Sequence, residues 1–145
     1  MSATGLEVFD HTFQTTNIWL NEIEAHVGPD RRLAWKVLTT VLQNLRDQLQ
    51  PDLAAHLSAQ LPLLVRGGYY DRYQPSKMQH DAADREDFVE AVARGLKGSR
   101  GVDPRVAVAA VFETLERHVS AGELKKVRNA LRKDVRALWP SDNAA

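Results

Sequence analysis

The chain has 145 residues and no cysteine. That excludes disulfides, thiolate metal sites and a cysteine nucleophile, and it fits a cytoplasmic location. A charge bias is also missing: 19 basic residues balance 19 acidic ones. The whole chain therefore has no general attraction to nucleic acid or anionic lipid. No apolar run approaches the roughly 20 residues needed to cross a bilayer. The amino terminus, MSATGLEVFDHTF, lacks the basic start and apolar core of a signal peptide. Strand signals, meaning alternating β-branched runs bounded by turns, are nearly absent.

Catalytic motifs are missing as well. There is no H-E-x-x-H, no G-x-S-x-G and no phosphate-binding glycine motif. No two of His11, His26, His56, His80 and His118 have the i, i+4 spacing of a helical metal site. The sequence thus names no catalytic residue, no metal ligand and no cofactor. The acidic cluster in HDAADREDFVE, residues 80–90, suits the start of a helix.

What is present is helical periodicity. Trp19, Leu20, Ile23 and Val27 form one stripe, ended by Gly28-Pro29. Asp30 can cap a second helix with Leu33 or Ala34, Val37, Leu38, Val41, Leu42, Leu45 and Leu49 inward. Pro51 suits the first position of a third, which buries Leu53 or Ala54, Leu57, Leu61, Leu64 and Val65 and stops at Gly67-Gly68. The pattern then restarts. Asp84 can cap a helix carrying Phe88, Val89, Val92 and Leu96, and Asp103-Pro104 opens the next, with Val108, Val111, Phe112, Leu115 and Val119. Ser120 to Glu123 reads as a capping box before Leu124, Val127, Leu131, Val135 and Leu138.

Shifted by 70 positions, nine apolar residues from Leu38 to Tyr69 fall on nine from Val108 to Trp139. The expectation is an all-α protein, a duplicated three-helix unit forming a six-helix body with a pseudo-two-fold relation. The copies are residues 9–68 and 84–139, joined by a crossing segment at 69–83, with flexible termini at 1–8 and 140–145. Together they make one domain.

The stretches VFDHTFQTTNIWLNEI, RRLAWKVL, LAAHLSAQLPLLVRGGYYDRYQP and VRALWP resemble the bacterial family called domain of unknown function 2267. The resemblance covers nearly the whole chain. It implies a helical, repeated architecture and brings no activity or catalytic residues. Relatives more often carry tryptophan where Tyr73 stands, which implies a need for an aromatic body there.

Two regions can carry function. Arg66, Tyr69, Tyr70, Asp71, Arg72 and Tyr73 can line a pocket for a phosphate or carboxylate. The reading the residues favour is a connector, in which Tyr69 and Trp139 each plug the end of a bundle and Arg66 and Asp71 tie the crossing segment down. The last helix carries six basic residues against one acidic between 124 and 140, with Lys125, Arg128, Arg132 and Arg136 on one face. Such a stripe can dock nucleic acid or another anion, although a solvated or internally paired face is the more ordinary outcome. The segment Leu53–Val65 has no formal charge. A helix so apolar is expected to be central or to lie in an interface. The leading expectation is therefore a non-catalytic module that binds itself or another protein, away from membranes. Binding of an anion or of a small molecule are the alternatives.

Overall fold

Four side-chain caps divide the chain where the sequence marks it. Asp30 accepts from the Leu33 amide at 3.0 Å, Asp84 from Asp87 at 2.8 Å, Asp103 from Arg105 at 2.9 Å and Ser120 from Glu123 at 3.3 Å. Each satisfies an amide that the helix itself leaves open. A computed structural model describes residues 2–77 and 84–140, and among them are eight α-helices and no strand. They are α1 Glu7–Val27, α2 Arg31–Arg46, α3 Pro51–Ser58, α4 Leu63–Tyr70, α5 Arg85–Gly95, α6 Pro104–His118, α7 Ala121–Ala130 and α8 Lys133–Arg136. None is long and apolar enough to cross a membrane.

The core forms where α2 and α6 meet each other and α1. Val37, Leu38, Val41, Leu42 and Leu45 from α2 are fully buried, as are Val108, Val111, Phe112 and Leu115 from α6 and Ile23 from α1. Each such side chain contributes about 1.5–3 kcal/mol by leaving water. Around this centre α4 and α5 pack on α2, α5 also packs on α6, and α3 packs on α7. The predicted apolar stripes supply this core almost residue for residue.

Three expectations are corrected. The third helix is two helices, α3 and α4. Pro62 is the N-cap of α4, with extended ψ of 149°, because its ring clashes with a continuing helix and it has no amide to give. The last helix is likewise divided, at Leu131 and Arg132, both extended. No proline causes that break. Asp134 takes the amide of Val135 at 2.9 Å and that of Arg85 at 3.1 Å, and such bonds compete with helix continuation.

Second, Gly67-Gly68 does not stop a helix; both lie inside α4. Gly68 is there because α4 lies tight against α2. A Cβ on it would sit 2.6 Å from the Thr39 Cγ2 and 3.2 Å from the Trp35 ring.

Third, the uncharged stretch 53–65 is not central within the chain. Ala55, His56, Ala59, Leu63 and Leu64 are exposed, which rules out the central position but not the interface. At the amino terminus, Glu7 and Val8 belong to α1, and Ser2 and Thr4 hydrogen-bond to the Asp10 carboxylate. The Ser2 hydroxyl bond is the main reason that the Asp10 carboxyl is held below the ordinary range.

Candidate functional site

α1 is amphipathic twice over. Thr12, Thr16, Trp19, Leu20 and Ile23 face the core. A second apolar row starts at Leu6, the N-cap of α1, and runs through Phe9 and Phe13. These three are 51, 45 and 46% exposed. Their i, i+3, i+7 spacing puts them along one shoulder of the helix. The start of α4 lies beside this shoulder, where the Leu64 amide donates to the Thr12 hydroxyl at 3.1 Å. It adds Leu64, 42% exposed. Of the eight large apolar side chains exposed among the described residues, four lie along this shoulder or beside it: Leu6, Phe9, Phe13 and Leu64. Clustered exposure of this kind is less ordinary than scattered exposure.

Beside the row is a groove of about 590 Å³, lined by Phe13, Thr16, Asn17, Leu20, Arg31, Arg32, Trp35 and Leu64. Leu20 and Trp35 form its apolar base, and Trp35 rests over Gly68, where a methyl group would collide with it. Arg31 is held against α1 by Asn17, Asn21 and Glu24. Arg32 is exposed and has no carboxylate partner among the described residues. The rim is therefore basic at this end. Glu7 and Asp10 make the other end of the row acidic.

The crossing segment is built as a brace. Tyr69 is fully buried and donates its hydroxyl to the Ala54 carbonyl at 2.8 Å. Burial pushes that hydroxyl's pKa upward. Tyr70 donates to Ser58 Oγ at 3.0 Å. Arg66 donates from Nε to the Ser58 carbonyl at 2.9 Å and from Nη2 to the Leu61 carbonyl at 3.2 Å. Asp71 and Arg72 are exposed. Asp71 (φ −56°, ψ 128°) and Arg72 (φ 62°) take the inner positions of a type II turn, closed by the Tyr73 amide on the Tyr70 carbonyl at 3.0 Å. Tyr73 is half-buried, and burial raises its pKa. The six side chains therefore do not converge on one pocket, and Arg66 alone of them lines a cleft described below.

The residue that does most to tie this segment down was not singled out from the sequence. Arg46 is 4% exposed. Its Nη1 donates to the Tyr69 carbonyl at 2.7 Å and the Asp71 carbonyl at 2.9 Å, and its Nε donates to Asp47 at 3.0 Å. Its guanidinium lies 4.9 Å from the Tyr73 ring centre. An arginine at the end of an apolar stripe reads from sequence as a surface charge suited to a helix C-terminus. The shoulder row Leu6, Phe9 and Phe13 was also missed, although its spacing was visible.

The basic residues of the last helix are divided between elements. Lys125 and Arg128 are on α7, Arg132 is the N-cap of α8 and Arg136 ends α8. Lys125 is exposed, Arg128 lies 5.6 Å from the Trp139 ring centre, and Arg132 pairs with Asp134 at 3.3 Å. Arg136 is half-buried, with its Nε unbonded. The break at Leu131–Arg132 means that they do not form one continuous helical stripe. The expected reciprocal capping box is half present. Glu123 does not reach back, and the Ser120 amide instead donates to Gln60 at 2.8 Å.

Among the histidines, His118 meets Glu22 at 2.6 Å and stacks on Trp19 with ring centres 5.2 Å apart. His26 meets Glu113 at 3.1 Å, while His11 and His56 are exposed. His80 lies outside the described residues. Among the described residues no three His, Cys, Asp or Glu side chains are placed to hold a metal ion.

Residues 16–138 match the family model described as "Uncharacterized conserved protein (DUF2267)". The chain belongs to the DUF2267 family. The match runs from α1 into the turn after α8 and includes the crossing segment and most of the groove lining; the exposed row at Leu6, Phe9 and Phe13 precedes it. No curated protein matches the chain.

Proposed function

We propose that this DUF2267 protein is a non-catalytic interaction module that pairs with a second copy of itself through the shoulder of α1 and the start of α4. The observation that carries the reading is the exposed row Leu6, Phe9 and Phe13 with Leu64 beside it, four of the eight exposed large apolar side chains among the described residues. Half-exposed, they leave a few hundred Å² of apolar surface, within the range of the largest patch on a monomer. A polar rim brings such a patch to the ~800 Å² per partner of an ordinary interface. The face also holds both parts of a self-complementary contact. Phe9 and Phe13 are projections, and the groove over Leu20 and Trp35 is a recess. In a two-fold pairing with the α1 helices antiparallel, the acidic end at Glu7 and Asp10 meets the basic end at Arg31 and Arg32 of the other copy.

Sedimentation velocity over a range of concentrations tests this. The expected result is a reversible dimer that Phe13→Asp converts to monomer and Lys125→Asp leaves intact. A wild type that stays monomeric at every concentration removes the self-pairing.

The same proposal includes a cytoplasmic location, on the cysteine-free composition, and an internal repeat. What supports the repeat is the register. Shifting α3 and α4 by 70 positions carries their first residues, Pro51 and Leu63, onto Ala121 and Lys133, the first residues of α7 and α8. Part of the packing supports it too: α1 on α6 mirrors α5 on α2, and α1 on α4 mirrors α5 on α8, whereas α4 on α2 and α7 on α6 have no comparable counterpart. The α2–α6 and α3–α7 contacts map onto themselves, as contacts across a two-fold axis do. An experimental structure whose two units failed to superpose in this helix order would refute the repeat. Anion or nucleic-acid docking through Lys125, Arg128, Arg132 and Arg136 is the lesser proposal, because their separation over two helices supports it less.

A further inference from the structure

On the flank of α1 facing away from the groove lies a second cleft, of about 360 Å³. Val8, His11, Thr12, Thr15 and Trp19 of α1 form one wall. The turn Gln60–Leu63 between α3 and α4 forms another, and Arg66 and His118 close it. Its volume is at the lower end of small-molecule sites. Its lining contains one arginine, two histidines and no carboxylate.

The charge of Arg66 is what makes the cleft unusual. Arg66 is half-buried, and among the described residues its side chain hydrogen-bonds to the backbone carbonyls of Ser58 and Leu61. Among the described residues it has no acidic partner. Arg46 bonds carbonyls in the same way but has Asp47 beside it at 3.0 Å. A guanidinium taken partly out of water without a counter-charge favours an anion. The two carbonyls occupy Nε and Nη2, leaving Nη1 for a ligand, and they fix the plane of the fork in advance.

The remaining walls are also set. Glu22 and the Trp19 ring hold His118. Gln60 is tied to Ser120 through both ends of its amide, at 2.8 and 3.2 Å. Of the acidic side chains around it, Glu22 is turned to His118 and Arg117 and Asp10 to Ser2 and Thr4, while Glu7 lines the neighbouring recess that Val8 and His11 share, not the cleft itself. Val8, Leu61, Pro62 and Leu63 complete an apolar half.

We propose that this cleft binds a small organic oxyanion, a carboxylate or phosphate ester with a short apolar part, anchored by Arg66 with His11 as the second polar contact. The site does not depend on self-pairing, so Phe13→Asp is expected to bind as wild type does.

Titration of the labelled protein with butyrate and, separately, with inorganic phosphate, followed by amide, arginine Nε and imidazole resonances, tests it. Sodium chloride at equal ionic strength is the control. Saturable shifts are expected at Arg66, Leu64 and His11, with a dissociation constant of about 1 mM, as one charge-assisted fork and a few apolar contacts give. Arg66→Gln is expected to weaken binding about tenfold or more, and His11→Ala several-fold. His11 is exposed with no side-chain bond, so that variant keeps the test valid if Arg66→Gln unfolds. Saturation by butyrate alone identifies a carboxylate ligand, and by phosphate alone a phosphate ester. No saturable shift with either probe, or shifts that centre on Lys125, Arg128, Arg132 and Arg136 and survive both substitutions, would overturn the proposal.

Discussion

The two halves of the chain close their ends with an aromatic side chain in the same register but by different physics. In the first, Tyr69 is held by a hydrogen bond to Ala54, and Arg46 braces the carbonyls of Tyr69 and Asp71. In the second, Trp139 stacks on Phe112, ring centres 4.0 Å apart and planes within 11°. Its Nε1 is buried without a partner, and so is the Nε of Arg136. Position 116, 70 residues after Arg46, is a glutamate. What the two ends share is the volume of a plug; the bracing of backbone carbonyls by a buried arginine belongs to the first. One end is thus held by directional bonds and the other by ring packing.

Replacing the arginine near each plug tests that difference most strongly. Arg46→Met removes the donor to two carbonyls and leaves Asp47 unpaired, and it should lower stability by about 3 kcal/mol. Arg128→Met, beside Trp139, removes a cation–ring contact together with the other interaction of that half-buried side chain, and should cost less, about 1 kcal/mol. Urea midpoints measured on both variants decide it. Equal losses would mean that the two ends are held alike.

A smaller effect separates the glycines of α4. Gly68→Ala puts a methyl group against Thr39 and Trp35. Thr39 has little room to turn, because its hydroxyl is bonded to the Trp35 carbonyl at 3.0 Å. A loss of about 2 kcal/mol is expected. It should come with weaker self-pairing, since Trp35 is the base of the groove. Gly67→Ala meets nothing within 4 Å and should add about 0.7 kcal/mol by stiffening the unfolded chain and favouring helix. Thermal melts of the two variants should move in opposite directions. The residue 70 positions after Gly68 is Leu138, beyond the end of α8.

These glycines show what can be read from a sequence of this kind. Caps and core stripes depend on neighbours one to four residues away, and Asp30, Asp84, Asp103 and the row Val37–Leu45 were legible on that account. Gly68 was misread because a paired glycine looks like a helix end locally, whereas its use is the approach of α4 to a helix 30 residues earlier. Arg46 was invisible for the same reason, since the carbonyls it braces belong to residues more than 20 positions away. Arg66 was noticed as a tie, correctly as to kind, but its partners lie in α3 and the turn after it rather than in the crossing segment. The exposed row of α1 has a readable period; its exposure does not, because periodicity finds an apolar face without saying what covers it.

The last difference concerns a single bond near each plug. In the first half the Leu64 amide of α4 donates to the Thr12 hydroxyl of α1 at 3.1 Å. In the second, position 134, the counterpart of 64, reverses the roles: the Asp134 carboxylate accepts the Arg85 amide that opens α5, at 3.1 Å. The bond from that amide, ahead of the nearby Arg132, holds the Asp134 carboxyl below its ordinary value of 3.8. A carboxyl whose pKa is depressed on folding stabilises the fold above its unfolded value, and that contribution is lost as pH falls through the folded one. The α5–α8 tie should therefore weaken below about pH 4, while the α1–α4 tie, with no ionisable partner, should not. Wild type and Asp134→Asn should differ in stability at neutral pH and converge as the solution is acidified, whereas Thr12→Val should keep a constant offset from wild type. A gap between wild type and Asp134→Asn that did not narrow in acid would mean that the carboxylate's charge plays no part in holding α8 to α5.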